Sequence, residues 1–364
     1  MRVVIAKKTL STVGGSETFA RALDRELHAL GHDVMLVGMR PPWARPGIDE
    51  DTRSTFLPVR GGRLGAAIDG LLPTTLVRDD DLRRVTAGAD IVHSLAREWV
   101  GALERATRAG RAAFVETPLV HPGQVLSGDS PSDVARYRRD DAVIALTEWE
   151  AAWYRRRGVN RVHVTGVGPN LADLPEIARE PATILFVGRK ERYKGYHALR
   201  GAAPLVWKER PDAKFLAIGQ PAWTARFAEP MRDPRWTERA IVSEEEKAAA
   251  FARATIFAMP SDHETFGHAY LEAWLAGLPV IAGDIPPLHE VVRDNVDGLH
   301  ARNEPFGVAV AILALLRDPE RARRMGESGR QRALREFTWP AVAKRTERAY
   351  ESALEARAAR VRLY

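Results

Sequence analysis

The stretch that most constrains this chain is residues 260–282, PSDHETFGHAYLEAWLAGLPVIA. Apolar residues at Tyr270, Leu271, Ala273, Trp274 and Leu275 predict a helix over 266–276 that is buried on much of its surface. Gly277 ends it, and residues 278–282 form a short apolar run of the kind found in parallel sheets, whose two faces are both covered. A helix feeding straight into such a strand is a unit of a parallel α/β sheet, so the polar loop before it is a strand-to-helix crossover. Thr265, Phe266 and Gly267 then offer backbone N–H groups at a helix N-terminus, an end that attracts anions.

Glu264 sits on that lip and Glu272 follows eight residues later, about two turns at 3.6 residues per turn, so both carboxylates can face one side of a site. One could grip a sugar and the other a ribose. Taken alone, the pair reads first as an N-terminal cap and a solvated helix residue. The flanking residues reverse that reading.

With Pro260, Ser261, Glu264, Phe266, Gly267, Glu272, Ala273, Gly277, Pro279, Val280 and Ile281, the stretch resembles the signature P-S-x-x-E-x-F-G, E-A, G-x-P-V-I. That is the signature of retaining GT-B glycosyltransferases (glycosyltransferase family 4, glycosyl transferases group 1). The resemblance implies an α/β architecture of two Rossmann-like domains facing across a cleft, with a C-terminal helix crossing back to the first domain. It also implies transfer of a hexose from a nucleoside diphosphate sugar such as a UDP- or GDP-sugar, with retention of anomeric configuration and without a metal or cofactor. Glu264 would then position the sugar hydroxyls and Glu272 would accept from the ribose.

Other segments carry the resemblance further. Residues 184–187 read as a buried strand, followed by Gly188-Arg189 and Lys194-Gly195, similar to the family's G-R and K-G pairs whose cations grip the diphosphate. Arg offers a planar fork to two phosphate oxygens and Lys a point charge. Residues 213–219 are the next strand, ending in Gly219, where the family places a glycine under the nucleotide. The chain opens with a strand over 2–6, a small-residue loop with Gly14 and Gly15, a helix over 17–30 and a strand over 33–37. This βαβ unit lacks the G-x-G-x-x-G dinucleotide fingerprint, and a tight turn explains the two glycines as well as a ligand does. In the family, a glycine pair here reaches the donor. Residues 89–94 and 112–116 are further strands, so His93 and the segment 116–121 are expected to point to the cleft. His121, four residues after Thr117, resembles a family histidine that touches the donor sugar.

Between these strands, residues 40–80 show no sustained periodicity. Trp43, Arg45, Arg60 and Arg63 could meet an anionic acceptor or a lipid head group, although a solvated loop with one tucked tryptophan is the simpler reading. Ile241-Val242 reads as a strand and Ser243 with Glu246 as a capping box. From Pro305 on the chain is helical, closing with an Arg-rich amphipathic helix over 341–363. The expected domains are 1–172 on the acceptor side, 173–338 binding the nucleotide sugar, and 339–364 as the returning helix.

Charge argues against nucleic acid as the main partner. Residues 1–170 hold 24 Lys and Arg against 21 Asp and Glu and the remainder 30 against 27, so each part carries +3 and no basic face is concentrated in either. The absence of cysteine removes disulfides, Cys-zinc sites and thiol catalysis. No run of 18 apolar residues exists, which leaves a soluble cytoplasmic enzyme with at most peripheral membrane contact as the expectation. Its partners would be the donor and a small-molecule, glycan or lipid-linked acceptor. An inactive nucleotide-sugar-binding scaffold and a phosphorylase on the same fold remain alternatives, because fold does not dictate activity.

Overall fold

Two runs of alternating strand and helix build two units in the computed structural model, Met1–Val167 with Trp339–Tyr364 and Gly168–Thr338. It describes residues 1–362 apart from 11–13, 41, 43–53, 72–74, 109, 123–126, 172 and 222–230, so Trp43 and Arg45 lie outside the described residues.

Among the described residues, the first unit holds seven strands. They are β1 (Arg2–Ala6), β2 (Asp33–Gly38), β3 (Ser54–Phe56), β4 (Ile91–Leu95), β5 (Ala113–Thr117), β6 (Ala142–Ala145) and β7 (Val162–Val164). All pair in parallel, in the order β3-β2-β1-β4-β5-β6-β7. The second unit repeats the plan with β8 (Thr183–Val187), β9 (Lys214–Ile218), β10 (Trp236–Arg239), β11 (Ile256–Met259), β12 (Val280–Gly283) and β13 (Gly298–Ala301). These are also parallel, in the order β10-β9-β8-β11-β12-β13. Each chain segment starts at a middle strand, winds to one edge and returns to the middle. Val3, Val4, Ile5, Ile184, Leu185 and Phe186 are fully buried, as strands covered by helices on both faces must be. Between β1 and β4, and again between β8 and β11, the following connections leave in opposite directions. Ligands of open parallel sheets bind in the crevice at such a point.

Several elements differ from expectation. The strand that follows β9 is the edge strand β10 rather than Ile241-Val242, because Trp236 is buried and stacks on Phe215 of β9 at 5.6 Å, whereas Ile241 is exposed. The Ser243/Glu246 capping box is present. The helix expected over 266–276 runs His268–Leu275, since Gly267 before it takes φ +91° and Phe266 turns inward against the Phe337 ring at 5.3 Å. Within the supposedly irregular segment 40–80 lies a helix, Gly62–Leu71.

The last helix, Trp339–Val361, buries Trp339, Val342, Ala343, Thr346, Ala349, Tyr350, Ala353 and Ala356, a stripe at helical spacing. It belongs to the first unit, where Trp339 meets the edge of Phe19 at 5.5 Å and Arg360 pairs with Asp141 at 3.1 Å.

This helix also corrects the reading of His93. The imidazole is fully buried, with Nδ1 2.8 Å from the Tyr350 hydroxyl and Nε2 2.7 Å from the Thr117 hydroxyl, so it locks the helix to the sheet and is not presented to a ligand. Burial pushes it down to about 3 and keeps it neutral. Because that lies below the ordinary 6.5, His93 stabilises the fold fully above pH 6.5 and its contribution is lost as pH falls toward 3. Tyr350→Phe leaves one buried ring nitrogen without its partner and is expected to lower unfolding stability by about 1–3 kcal/mol in a urea titration at neutral pH. An unchanged midpoint would show that the pair does not hold the helix.

Candidate active site

Parallel pairing of β8 with β11, Ile184 opposite Ile256 and Leu185 opposite Phe257, makes the connections after these two strands neighbours. The first connection begins at Gly188, whose N–H bonds the Ile218 carbonyl at 2.9 Å, and Lys190 N–H follows onto the Gln220 carbonyl at 2.9 Å. Lys190 is buried and its ammonium lies 2.9 Å from Glu238, which also accepts from Tyr196 at 2.6 Å and Trp236 at 2.7 Å. That network fixes the loop's base. A short 3-10 turn, Arg192–Lys194, follows. Gly195 ends it at φ +79°, and a Cβ there would stand 2.6 Å from the Pro260 carbonyl oxygen, so only glycine lets the two loops close on each other. Asp262 N–H donates to the Tyr193 carbonyl at 2.9 Å, and the Asn303 amide donates to the Arg192 carbonyl at 2.9 Å and to Asp262 at 3.0 Å.

These stitches set the charged groups. Lys194 forms an ion pair with Glu264, both side chains largely buried. Arg189 is 65% exposed, lies 3.1 Å from Glu191 and donates to the Tyr193 hydroxyl. The Tyr193 ring collects both cations, with the Arg189 guanidinium 5.6 Å and the Lys194 ammonium 5.3 Å from its centroid. Sequence reasoning named the two cations but neither Tyr193 as their common support nor Glu191 as a counter-charge. Glu264 also accepts the Thr265 N–H at 3.3 Å, so that amide already has a local acceptor. Phe266 is a buried anchor and Gly267 caps the helix.

Glu272 is buried in the middle of the helix His268–Leu275 rather than solvated. Its nearest cation is Lys247 at 3.4 Å, which also donates to the Asn170 carbonyl at 2.7 Å and pairs with Glu244 at 2.7 Å. Loss of water raises the Glu272 carboxyl to about 7, with Lys247 opposing the shift. Burial works against the Lys247 charge, yet Glu272 and Glu244 hold its pKa above the ordinary value. His268 bonds the Gly168 carbonyl at 2.9 Å, and burial lowers its pKa. It feels the charges of Glu264, Lys194 and Lys247, which ties the two ion pairs into one electrostatic neighbourhood. Nothing in residue spacing pointed to Lys247, which comes from the Ser243-capped helix 25 residues upstream of Glu272. His268 lay inside the signature stretch, between the two glutamates, and was passed over.

Gly219 ends β9 at φ +146°, and a Cβ there would stand 1.8 Å from the Gly188 carbonyl oxygen, immediately before Arg189. Its glycine is therefore required by the sheet itself, whatever lies above it. Gly14, Gly15 and His121 belong to the first unit. Gly14 caps the helix Gly15–Ala29 after β1, and Gly15 is exposed. Beside them Lys7 is buried between Glu17 at 3.2 Å and Glu98 at 2.8 Å; burial opposes its charge, but the two carboxylates hold its pKa above the usual value. Glu98 lies in the connection after β4, where Ala96, Arg97 and Trp99 take φ of 60°, 59° and 56°, a strained run held partly by Glu98 accepting the Lys8 N–H at 2.9 Å. His121 lies four residues beyond the end of β5, partly buried.

Residues 173–332 match the family described as Glycosyl transferases group 1. The chain is 32% identical to the glycogen synthase of Mycobacterium tuberculosis, over 94% of this chain and 92% of that protein. Sucrose-phosphate synthase from Thermosynechococcus elongatus matches the structure with a TM-score of 0.75 at 20% identity, covering 96% of this chain and 98% of that one. HepE from Anabaena, solved in complex with UDP and glucose, matches with a TM-score of 0.74 at 15% identity, covering 97% and 100%. These likenesses show that the fold is of the GT-B type.

The elevated Glu272 carboxyl has a thermodynamic consequence. Its folded value of about 7 lies above the ordinary 4.5, so its contribution to stability is complete below pH 4.5 and is lost as pH rises through about 7. Glu272→Gln, which cannot ionise, should gain on the wild type by up to roughly 3 kcal/mol between pH 5 and 8, read as the difference between their urea-unfolding free energies. Parallel pH profiles would show that the carboxyl is not elevated.

Proposed function

This chain belongs to the family Glycosyl transferases group 1 and is a glycosyltransferase; we propose that it moves a hexose from a nucleoside diphosphate sugar to a hydroxyl acceptor with retention and without a metal. The observation that carries the donor reading is the convergence of Arg189 and Lys194 on one tyrosine ring, beside Glu264, where β8 and β11 release their connections. A pyrophosphate is the ligand whose charge and length suit two cations so arranged. HepE, solved with UDP and glucose, supports a nucleotide donor on this fold.

In this reading the unit Gly168–Thr338 holds the donor. The anomeric C–O bond breaks and its electron pair leaves with the diphosphate. Arg189 and Lys194 stabilise the new charge, and the backbone at Thr265–Gly267 adds amide dipoles. The acceptor oxygen attacks the same face of the sugar, and its proton passes to the departing phosphate oxygen, so no covalent glycosyl–enzyme forms. Glu264 orients the sugar hydroxyls while holding Lys194. Glu272 accepts from the ribose hydroxyls, and Gly219 lets the nucleotide lie close to the backbone. The first unit presents the acceptor, which is a small molecule, a glycan or a lipid-linked compound.

A thermal-shift panel of UDP-, GDP- and ADP-hexoses tests donor binding, because a ligand bound only by the folded state raises the melting temperature with occupancy. One sugar nucleotide should stabilise the wild type, and chelation should leave transfer unchanged. Lys194→Ala and Arg189→Ala should each lower turnover by at least ~10²-fold, as expected when a preorganised charge at the leaving group is removed. Wild-type turnover in Lys194→Ala would end the assignment.

A further inference from the structure

Three of the nine large apolar side chains that stand exposed among the described residues fall on one ten-residue helix, Gly62–Leu71. They are Leu64 at 72%, Ile68 at 39% and Leu71 at 74% relative exposure. At positions i, i+4 and i+7 they share one stripe, spanning about 60° at 100° per residue.

The helix cannot roll to hide this stripe. Its opposite face is buried at Gly65, Ala66 and Asp69. Asp69, the one acid in the helix, is fully buried, pairs with Lys8 at 3.1 Å and accepts from Trp99 Nε1 at 3.1 Å and from the Leu76 N–H at 3.2 Å. Rotation would break an interior ion pair whose members have no water to fall back on. The outward orientation is thus fixed by a charge on the inward side.

Arg60 and Arg63, both exposed, stand at the N-terminal end of the helix and form no ion pair with a described residue. Among the described residues, the nearest exposed acids along the chain are Asp79 and Asp80, which lie 3.7 Å from Arg105 and Arg83 respectively. An apolar stripe with two cations at its head that pair with no described residue, and no acid on its outward face, has the composition of a helix lying in a lipid interface. The pair Phe306 and Val310 on another helix is preceded by the acid Glu304 and lacks this complement. The patch spans a few hundred Å², well under the about 800 Å² per partner of a standard protein interface. A bilayer needs no shaped counter-surface.

We propose that the helix Gly62–Leu71 docks the protein on an anionic lipid surface, with Leu64, Ile68 and Leu71 in the head-group boundary and Arg60 and Arg63 against lipid phosphates. This holds independently of the sugar transferred.

Co-sedimentation of the full chain with vesicles of phosphatidylcholine alone, and of phosphatidylcholine mixed with phosphatidylglycerol, tests it. The wild type should bind the mixed vesicles, less at high salt, and leave the neutral ones. The double substitution Leu64→Ser with Leu71→Ser should weaken binding by at least about tenfold. Arg60→Gln with Arg63→Gln should weaken it by about 25-fold, at about fivefold per arginine near an anionic surface. Both arginines are exposed, so their variant keeps the test open even where the leucine variant loses its fold. Absence of vesicle binding, binding unchanged in both variants, or a dimer in light scattering that the leucine variant abolishes while vesicles stay unbound would each overturn the proposal.

Discussion

The parallel pairing of β8 with β11 is the constraint on which the candidate site depends. These strands are far apart in sequence and adjacent only because the chain winds to one edge and returns to the middle. Adjacency makes their carboxyl ends release loops side by side, and those loops carry Lys194 and Glu264, 70 residues apart along the chain. No local propensity brings these charges together. Gly195 and Gly219 then remove the side chains that would hold the backbones apart, so close approach of main chain is the means by which charge is positioned.

What the topology assembles is a neutralised site, with Lys194 held by Glu264, Arg189 beside Glu191, and Lys247 between Glu272 and Glu244. Unpaired charges taken from water cost several kcal/mol each, so a half-buried cation keeps its charge only with a carboxylate nearby. In the proposed reading, an arriving diphosphate replaces a carboxylate partner or shares its cation. The gain is then a difference between two ion pairs and is concentrated where new negative charge appears, at the bond being broken. That is the condition for lowering a barrier rather than merely tightening binding.

Much of this was legible in the sequence. Buried parallel strands are continuous apolar runs, and β1, β8 and β9 lie within a residue or two of the positions their sequences predict. The helix after β11 started late because a left-handed glycine and an inward Phe266 outweighed helical spacing. β10 was missed because its one core residue, Trp236, is followed by three exposed ones, which leaves no apolar run to read. The helix Gly62–Leu71 was missed because its outward face is apolar and its inward face carries an aspartate, the reverse of the usual pattern. Lys247 and Tyr193 left no signal, since each acts through a neighbour that only the fold supplies.

The two units share a winding order, and in both the connections at the corresponding point carry cations and carboxylates that nearly cancel. After β1 and β4 the buried Lys7 faces Glu17 and Glu98, and Lys8 pairs with the buried Asp69. After β8 and β11, Arg189, Arg192 and Lys194 stand with Glu191, Asp262 and Glu264. What differs is exposure, since the side chains of Lys7 and Lys8 are 2% and 5% exposed and that of Arg189 is 65% exposed. A buried cation gives up its carboxylate only at a large desolvation cost, whereas an exposed guanidinium can turn to another anion at little. Topology makes a crevice in both units, and the accessibility of the charge within it sets them apart.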